Sequence, residues 1–302
     1  GDMSLGQLLS FHLYLGLLSW PMMAFGEYMA VNQQAKTSWA RIEELLHFSD
    51  EPLPAGGMAL PGNEIKFTKL NFSYEEEDSH LQEIDLELPQ GKRLGVVGPI
   101  GSGKTTLLRQ LLGLYPISSG ITLSGEPLSE IDLDNYRKGL GYVPQEHTLF
   151  SKTLKENILL GDEETPYLME CLDMAGFLPD LKEMPDGLDT ILGEGGINLS
   201  GGQKQRLSLA RALYRRPKML LLDDTLSAVD NLTQSHIEKS LERLPRTTTL
   251  LLVSHRLSAV VNCDEILVLQ AGRITERGTH EELLQQDGWY ARQWQRQGGK
   301  NA

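Results

Sequence analysis

Residues 98–105, Gly98-Pro-Ile-Gly-Ser-Gly-Lys-Thr105, limit what this chain can fold into more than any other stretch. They match the pattern G-x-x-x-x-G-K-[ST] and stand between a short apolar run, Arg93–Val97, and a helical pattern over residues 105–114. A strand that feeds a glycine-rich turn and opens a helix is the context this pattern requires. The glycines let the backbone curl until successive N–H groups point inward, and the helix N-terminus adds partial positive charge. The cradle comprises Gly98, Pro99, Ile100, Gly101, Ser102, Gly103, Lys104, Thr105 and Thr106, and it suits the phosphates of ATP. Lys104 would neutralise the β- and γ-phosphates, and the Thr105 hydroxyl would bind Mg²⁺.

The chain has 302 residues, room for one large α/β domain and an additional helix. Lys and Arg total 28 against 41 Asp and Glu, a formal net charge of −13. So acidic a chain repels phosphate backbones, which argues against nucleic acid as a partner. A nucleotide needs only local N–H groups and one lysine. Cys171 and Cys263 lie far apart, with no Cys-x-x-Cys pair, so zinc is not expected and a reduced, cytosolic environment is.

Residues 5–25, LGQLLSFHLYLGLLSWPMMAF, carry no formal charge, and about 20 such residues span a bilayer core. The first residues lack a basic region and no small-residue cleavage site follows, so a secretory leader is not expected. The stretch reads as a transmembrane helix, with a buried helix of a soluble protein as the alternative. Gln7, Ser10, His12 and Ser19 would face other helices or a wet path, and Pro21 would kink the helix. Over residues 27–48 polar residues increase while Trp39, Ile42, Leu45 and Leu46 keep helical spacing. Residues 49–62 are rich in Pro and Gly and read as a linker. The expected organisation is 1–48 as the end of a transmembrane domain, 49–62 as linker and 63–302 as the ATP-binding domain. In that last part, apolar runs at 65–74, 84–88, 93–97, 219–222, 248–253 and 265–269 alternate with helical stretches. They predict an α/β fold with a mostly parallel sheet. The run Met219-Leu-Leu-Leu-Asp223 ends a core strand in a carboxylate, whose partner would be Mg²⁺ or a helix N-terminus.

Leu199-Ser-Gly-Gly-Gln203, followed by Lys-Gln-Arg206, offers a hydroxyl and bare N–H groups at a helix start. On this stretch, with the phosphate cradle, the chain resembles the ATP-binding cassette family over nearly its whole length. The resemblance implies the family's P-loop NTPase fold: a mostly parallel core sheet, an antiparallel β subdomain and an α-helical signature subdomain, here preceded by a transmembrane helix. It implies that Leu199, Ser200, Gly201, Gly202 and Gln203 meet the γ-phosphate of ATP held by a partner domain. It matches Tyr74 to the aromatic that stacks on adenine and Gln145, in Tyr142-Val-Pro-Gln145, to the glutamine that touches Mg²⁺ and the membrane domain. Asp223 becomes a Mg²⁺ ligand beside Thr105, Asp230, in Ser227-Ala-Val-Asp230, part of the interface loop, and His255 the switch histidine near the γ-phosphate. On residues alone, Tyr74 is equally a core aromatic and His255 a structural residue. Gly193-Glu194-Gly195-Gly196 resembles an exporter-specific loop, with Gly195 where an arginine is usual.

Family members that hydrolyse ATP well carry Glu directly after the metal-binding Asp, whereas this chain carries Asp224. Its carboxylate sits back by about one C–C bond, roughly 1.5 Å. For a general base, a misplacement of about 1 Å can cost on the order of 100-fold in rate. Asp224, His255 and Gln145 are the candidate catalytic residues. Residues 10–22 are similar to the last membrane helix of bacterial multidrug-resistance-like half-transporters. The resemblance implies an exporter ATPase, multi-pass in the cell (inner or plasma) membrane with this domain on the cytoplasmic side, moving a substrate the sequence does not specify. Asp224 points to the degenerate-site subunit of a heterodimer with a second half-transporter. A hydrolysis-competent homodimer exporting lipid or drug is the alternative, and a soluble cassette ATPase of DNA repair or translation fits less well. Thr279 and Glu282 have capping-box spacing, and residues 288–297 read as a surface helix.

Overall fold

The computed structural model of the chain describes residues 3–47, 62, 64–74, 79–115, 120–226 and 229–298. The expected linker, Gly62 apart, lies outside the described residues, as do Ser227 and Ala228 of the expected interface loop. The chain divides into two compact units, residues 1–53 and 54–302.

The first unit holds one helix, α1 (Leu5–His47), of 43 residues. At 1.5 Å per residue it is about 65 Å long, twice the thickness of a bilayer core. It runs through Pro21 without a break, even though proline removes a backbone hydrogen bond there. Leu8, Phe11, Leu15, Trp20 and Phe25 along it are all exposed. Among the described residues it is the one helix long and apolar enough to cross a membrane.

In the second unit, β1 (Ile65–Ser73) pairs antiparallel with β2 (Ser79–Leu88), followed by β3 (Arg93–Val97) and α2 (Lys104–Leu111). Next come β4 (Ile121–Leu123), β5 (Glu126–Pro127), α3 (Leu133–Lys138) and β6 (Leu140–Val143). Helices α4 (Leu154–Leu159), α5 (Tyr167–Met174), α6 (Leu178–Glu183) and α7 (Gly201–Tyr214) precede β7 (Met219–Asp223). The remaining elements are α8 (Asn231–Glu242), β8 (Thr249–Val253), β9 (Glu265–Gln270), β10 (Arg273–Gly278), α9 (His280–Gln285) and α10 (Trp289–Arg296).

Strands β6, β7, β8, β3 and β9 lie parallel in that order, with β10 antiparallel at the edge. A second sheet, ordered β2-β1-β4-β5, is antiparallel throughout. Parallel strands covered on both faces read as continuous apolar runs, and β7 and β8 are buried at every position. Their side chains alternate between two cores. Leu220, Leu222, Leu250 and Leu252 pack with Leu207 and Leu209 of α7. Leu94, Val96, Leu221, Leu251 and Val253 pack with Leu107 and Leu108 of α2 and with Phe67 and Leu86 of the antiparallel sheet. Helices α2 and α7 therefore cover opposite faces of the parallel sheet.

Some boundaries differ from the sequence reading for local reasons. β2 begins at Ser79, before the apolar run of 84–88, because pairing with β1 continues to Ser73. α2 stops at Leu111, where the turn at Gly113 takes φ to 60°, a conformation that ends helices. The Thr279–Glu282 capping box opens α9. α10 is less a surface helix than its polar residues suggest, since Tyr290 and Ala291 are buried in the core.

Candidate functional site

Neighbouring parallel strands deliver the site. β8 lies between β3 and β7, and the register pairs Val96 with Val253 and Val253 with Asp223. The three strands thus end level. The loop of residues 98–103, the pair Asp223–Asp224 and the pair Ser254–His255 emerge side by side at the carboxyl edge, where open α/β sheets bind ligands. The Ser254 N–H donates to the Val96 carbonyl at 3.1 Å and the Asp224 N–H to the Val253 carbonyl at 2.9 Å, which ties the loops to the edge. β6 adjoins β7, so Gln145, just past the end of β6, reaches the same edge with its side chain exposed.

The phosphate loop needs its glycines. A Cβ at Gly98 (φ 151°) would lie 2.0 Å from the Leu269 carbonyl oxygen, and one at Gly103 (φ 99°) 2.9 Å from that of His80. Gly103 caps α2 without a side-chain hydrogen bond, leaving first-turn N–H groups open to an anion. Lys104 is buried, and its Nζ donates to the carbonyl oxygens of Gly98 (3.0 Å) and Pro99 (2.7 Å) and to Ser102 Oγ (3.3 Å). Burial pushes its ammonium below the usual lysine range, against the charges of Asp224 and Asp223. Pro99, Ile100 and Gly101 form the exposed tip of the loop.

Thr105 Oγ1 donates to Asp223 Oδ1 at 3.2 Å. Asp223 is 1% exposed, and its Oδ2 is buried with no hydrogen-bond partner. Burial raises this carboxyl above the usual range; the Thr105 hydrogen bond opposes the shift and the charge of Asp224 adds to it. A buried carboxylate oxygen lacking a partner, beside a threonine hydroxyl, is a hard oxygen donor set that fits Mg²⁺.

Asp224 is buried at φ 50°, and its Oδ1 accepts the His255 N–H at 3.2 Å. Its carbonyl accepts from Gln205 Nε2 at 3.1 Å. Two candidate catalytic residues, Asp224 and His255, therefore touch through side chain and backbone. Tyr74 follows β1 as a partly exposed ring, with its hydroxyl 3.1 Å from Thr106 Oγ1. Phe72, His80 and Tyr115 meet it edge-on, with ring centroids 5.0, 4.6 and 5.0 Å away. The aromatic candidate is thereby fixed to the helix that carries the cradle.

The signature stretch lies elsewhere. Ser200 caps α7 in a capping box: its hydroxyl accepts the Gln203 N–H at 3.2 Å, and Gln203 Oε1 accepts the Ser200 N–H at 2.9 Å. Gln203 Nε2 donates to Asp180 Oδ1 at 2.9 Å, and Arg206 pairs with Asp180 Oδ2 at 2.7 Å. Lys204 Nζ donates to the Gly195 carbonyl at 2.8 Å, joining the start of α7 to residues 193–196. Leu199 is buried in the core on the α7 face, while Gly201 is exposed. Among the described residues, the side-chain hydrogen bonds of Ser200 and Gln203 run to each other and to Asp180 and not to residues 98–106, although Gln205 of the same helix reaches the Asp224 carbonyl. Asp180 escaped the sequence reading because it lies in a different helix with no spacing relation to α7. Asp230 caps α8, accepting from the Leu232 and Thr233 N–H groups at 3.1 and 3.0 Å, and these bonds hold its carboxyl below the usual range.

Residues 81–227 match the family model described as ABC transporter. The chain is 45% identical over 303 residues to the probable multidrug resistance ABC transporter ATP-binding/permease protein YheI of Bacillus subtilis (strain 168), covering 98% of this chain and 52% of that protein. It is 39% identical over 300 residues to the multidrug resistance-like ATP-binding protein MdlA of Escherichia coli (strain K12), covering 96% of this chain and 50% of that protein. A solved structure of a bacterial Atm1-family ABC exporter with ATP bound superimposes with a TM-score of 0.81 at 31% identity, over 99% of this chain and 54% of that one. The chain thus spans about half the length of the curated relatives it matches.

Proposed function

The chain contains a domain of the ABC transporter family, and from that premise we propose that it is the ATP-hydrolysing part of a membrane exporter. MgATP binding and hydrolysis would drive export of a substrate, with α1 as the end of the transmembrane domain and residues 63–302 as the cassette on the cytoplasmic side. The observation that carries this reading is the Thr105–Asp223 oxygen pair, with Asp223 Oδ2 unpartnered, directly under a glycine cradle at the sheet's carboxyl edge. Residues 98–106 hold the phosphates, Lys104 exchanges its carbonyl partners for phosphate oxygens, and Tyr74 lies against adenine. Thr105, Asp223 and Gln145 would hold Mg²⁺, which supplies charge neutralisation on the phosphates.

The side-chain bonds of Ser200 and Gln203 to each other and to Asp180, and not to residues 98–106, support a two-cassette arrangement, in which the signature of one subunit closes over the ATP of the other. Asp224 is one methylene shorter than the usual glutamate, and its Oδ1 is engaged by the His255 N–H. Both features favour slow hydrolysis at this chain's own phosphate loop. The finer reading is a heterodimer with a second half-transporter, this chain contributing the degenerate site and an intact signature to the other site.

ATP turnover by the full-length protein, with and without Asp224→Glu, tests this. The longer side chain raises turnover about 10- to 100-fold. Equal rates would overturn the degenerate-site reading, and failure of the unaltered protein to bind MgATP would overturn the ATPase assignment.

A further inference from the structure

The C-terminal helix ends against the backbone of the switch segment. Gln297, the C-cap of α10, donates from Nε2 to the His255 carbonyl at 2.8 Å and accepts at Oε1 from the Leu257 N–H at 2.9 Å. One side-chain amide thus bridges the backbone on both sides of Arg256. The helix that carries it is anchored along its length. At its start, Glu276 on β10 accepts the N–H groups of Trp289 and Tyr290. In its middle, Tyr290 is fully buried with its hydroxyl 2.8 Å from His280 Nδ1, and the Trp294 ring meets His280 edge-on at 4.7 Å. His255 is therefore held at its N–H by Asp224 and at its carbonyl by Gln297. Fixing both peptide planes fixes the direction in which the side chain leaves the backbone, and a site loosened by 1 Å fails for want of such support.

We propose that Gln297 is a positioning residue for ATP hydrolysis: its amide clamps the backbone around Arg256 and thereby aims the His255 imidazole at the nucleotide. The proposal rests on the reading of residues 98–106 as the ATP site. It makes the end of α10 part of the hydrolytic apparatus, although Gln297 touches no reacting atom.

The test uses the full-length protein in lipid nanodiscs, with Gln297→Ala and Gln297→Glu. Glutamate keeps the acceptor for the Leu257 N–H and sets an oxygen against the His255 carbonyl. Single-turnover hydrolysis slows about tenfold in both variants, because a displacement below 1 Å suffices, while MgATP affinity stays within about twofold. In the nucleotide-free protein, hydrogen exchange of the Leu257 amide quickens about tenfold with alanine and is unchanged with glutamate. In a His255→Ala background, Gln297→Ala slows hydrolysis by less than about twofold further, since both changes act through one imidazole. Full hydrolysis by Gln297→Ala, unchanged Leu257 exchange in it, or an undiminished effect in the His255→Ala background would overturn the proposal. Absence of MgATP binding in the unaltered protein would overturn the underlying nucleotide reading, a result distinct from these.

Discussion

The phosphate loop and the signature stretch are both glycine-bearing helix starts, yet they are finished in opposite ways. At the start of α2 the cap is Gly103 with no side-chain hydrogen bond, Lys104 is buried, and Asp223 keeps an oxygen without a partner. At the start of α7, Ser200 and Gln203 satisfy each other, and Asp180 secures the first turn through Gln203 and Arg206. The first site is built from sheet-strand ends and is electrostatically incomplete; a nucleotide and its metal would complete it. The second is closed upon itself, its capping groups satisfied within the chain by one another and by Asp180. Buried Lys104 and Asp223 carry the cost of burying charge, whereas a capping box carries none.

The largest expected effect separates the two regions directly. Lys104→Ala lowers MgATP affinity by about 100-fold, the loss of a charge-assisted phosphate contact worth roughly 2.7 kcal/mol. Ser200→Ala leaves this affinity within about twofold. Titration of a fluorescent ATP analogue distinguishes them, and equal losses would break the contrast. Next in size, Asp180→Ala destabilises the fold by about 2 kcal/mol, read from urea unfolding, because Arg206, only 12% exposed at its side chain, loses its carboxylate. It leaves the chain's own ATP binding unchanged. Ser200→Ala costs about 1 kcal/mol in the same assay, the usual loss of an N-cap. The smallest effect has the opposite sign. Asp223→Asn stabilises the nucleotide-free protein by about 0.5 kcal/mol, a Tm rise of roughly 1–2 °C, because burial opposes the charge on this carboxylate. A fall in Tm would show instead that burial of the Asp223 charge is compensated within the protein.

Much of the candidate site was legible because its signals are local. The cradle occupies nine consecutive residues, β7 and β8 are built on short apolar runs, and the Thr279–Glu282 box needs only a spacing of three. The short elements were harder. β5 has two residues, β6 has four and α6 has six, too few for a period to show. Helix α1 continues through Pro21, since one lost backbone bond does not outweigh the neighbouring turns.

By itself, the sequence determined the α/β class, the glycine-rich loop after β3, the carboxylate that ends β7 and the long apolar helix. Each is written in adjacent residues or in a short repeat of hydrophobicity. Tertiary structure alone decided that α2 and α7 cover opposite faces of one sheet, that Asp180 secures the start of α7, and that Gln297 bridges the backbone at His255. Those relations depend on strand order and on the side each connection takes, and no local pattern of side chains encodes either.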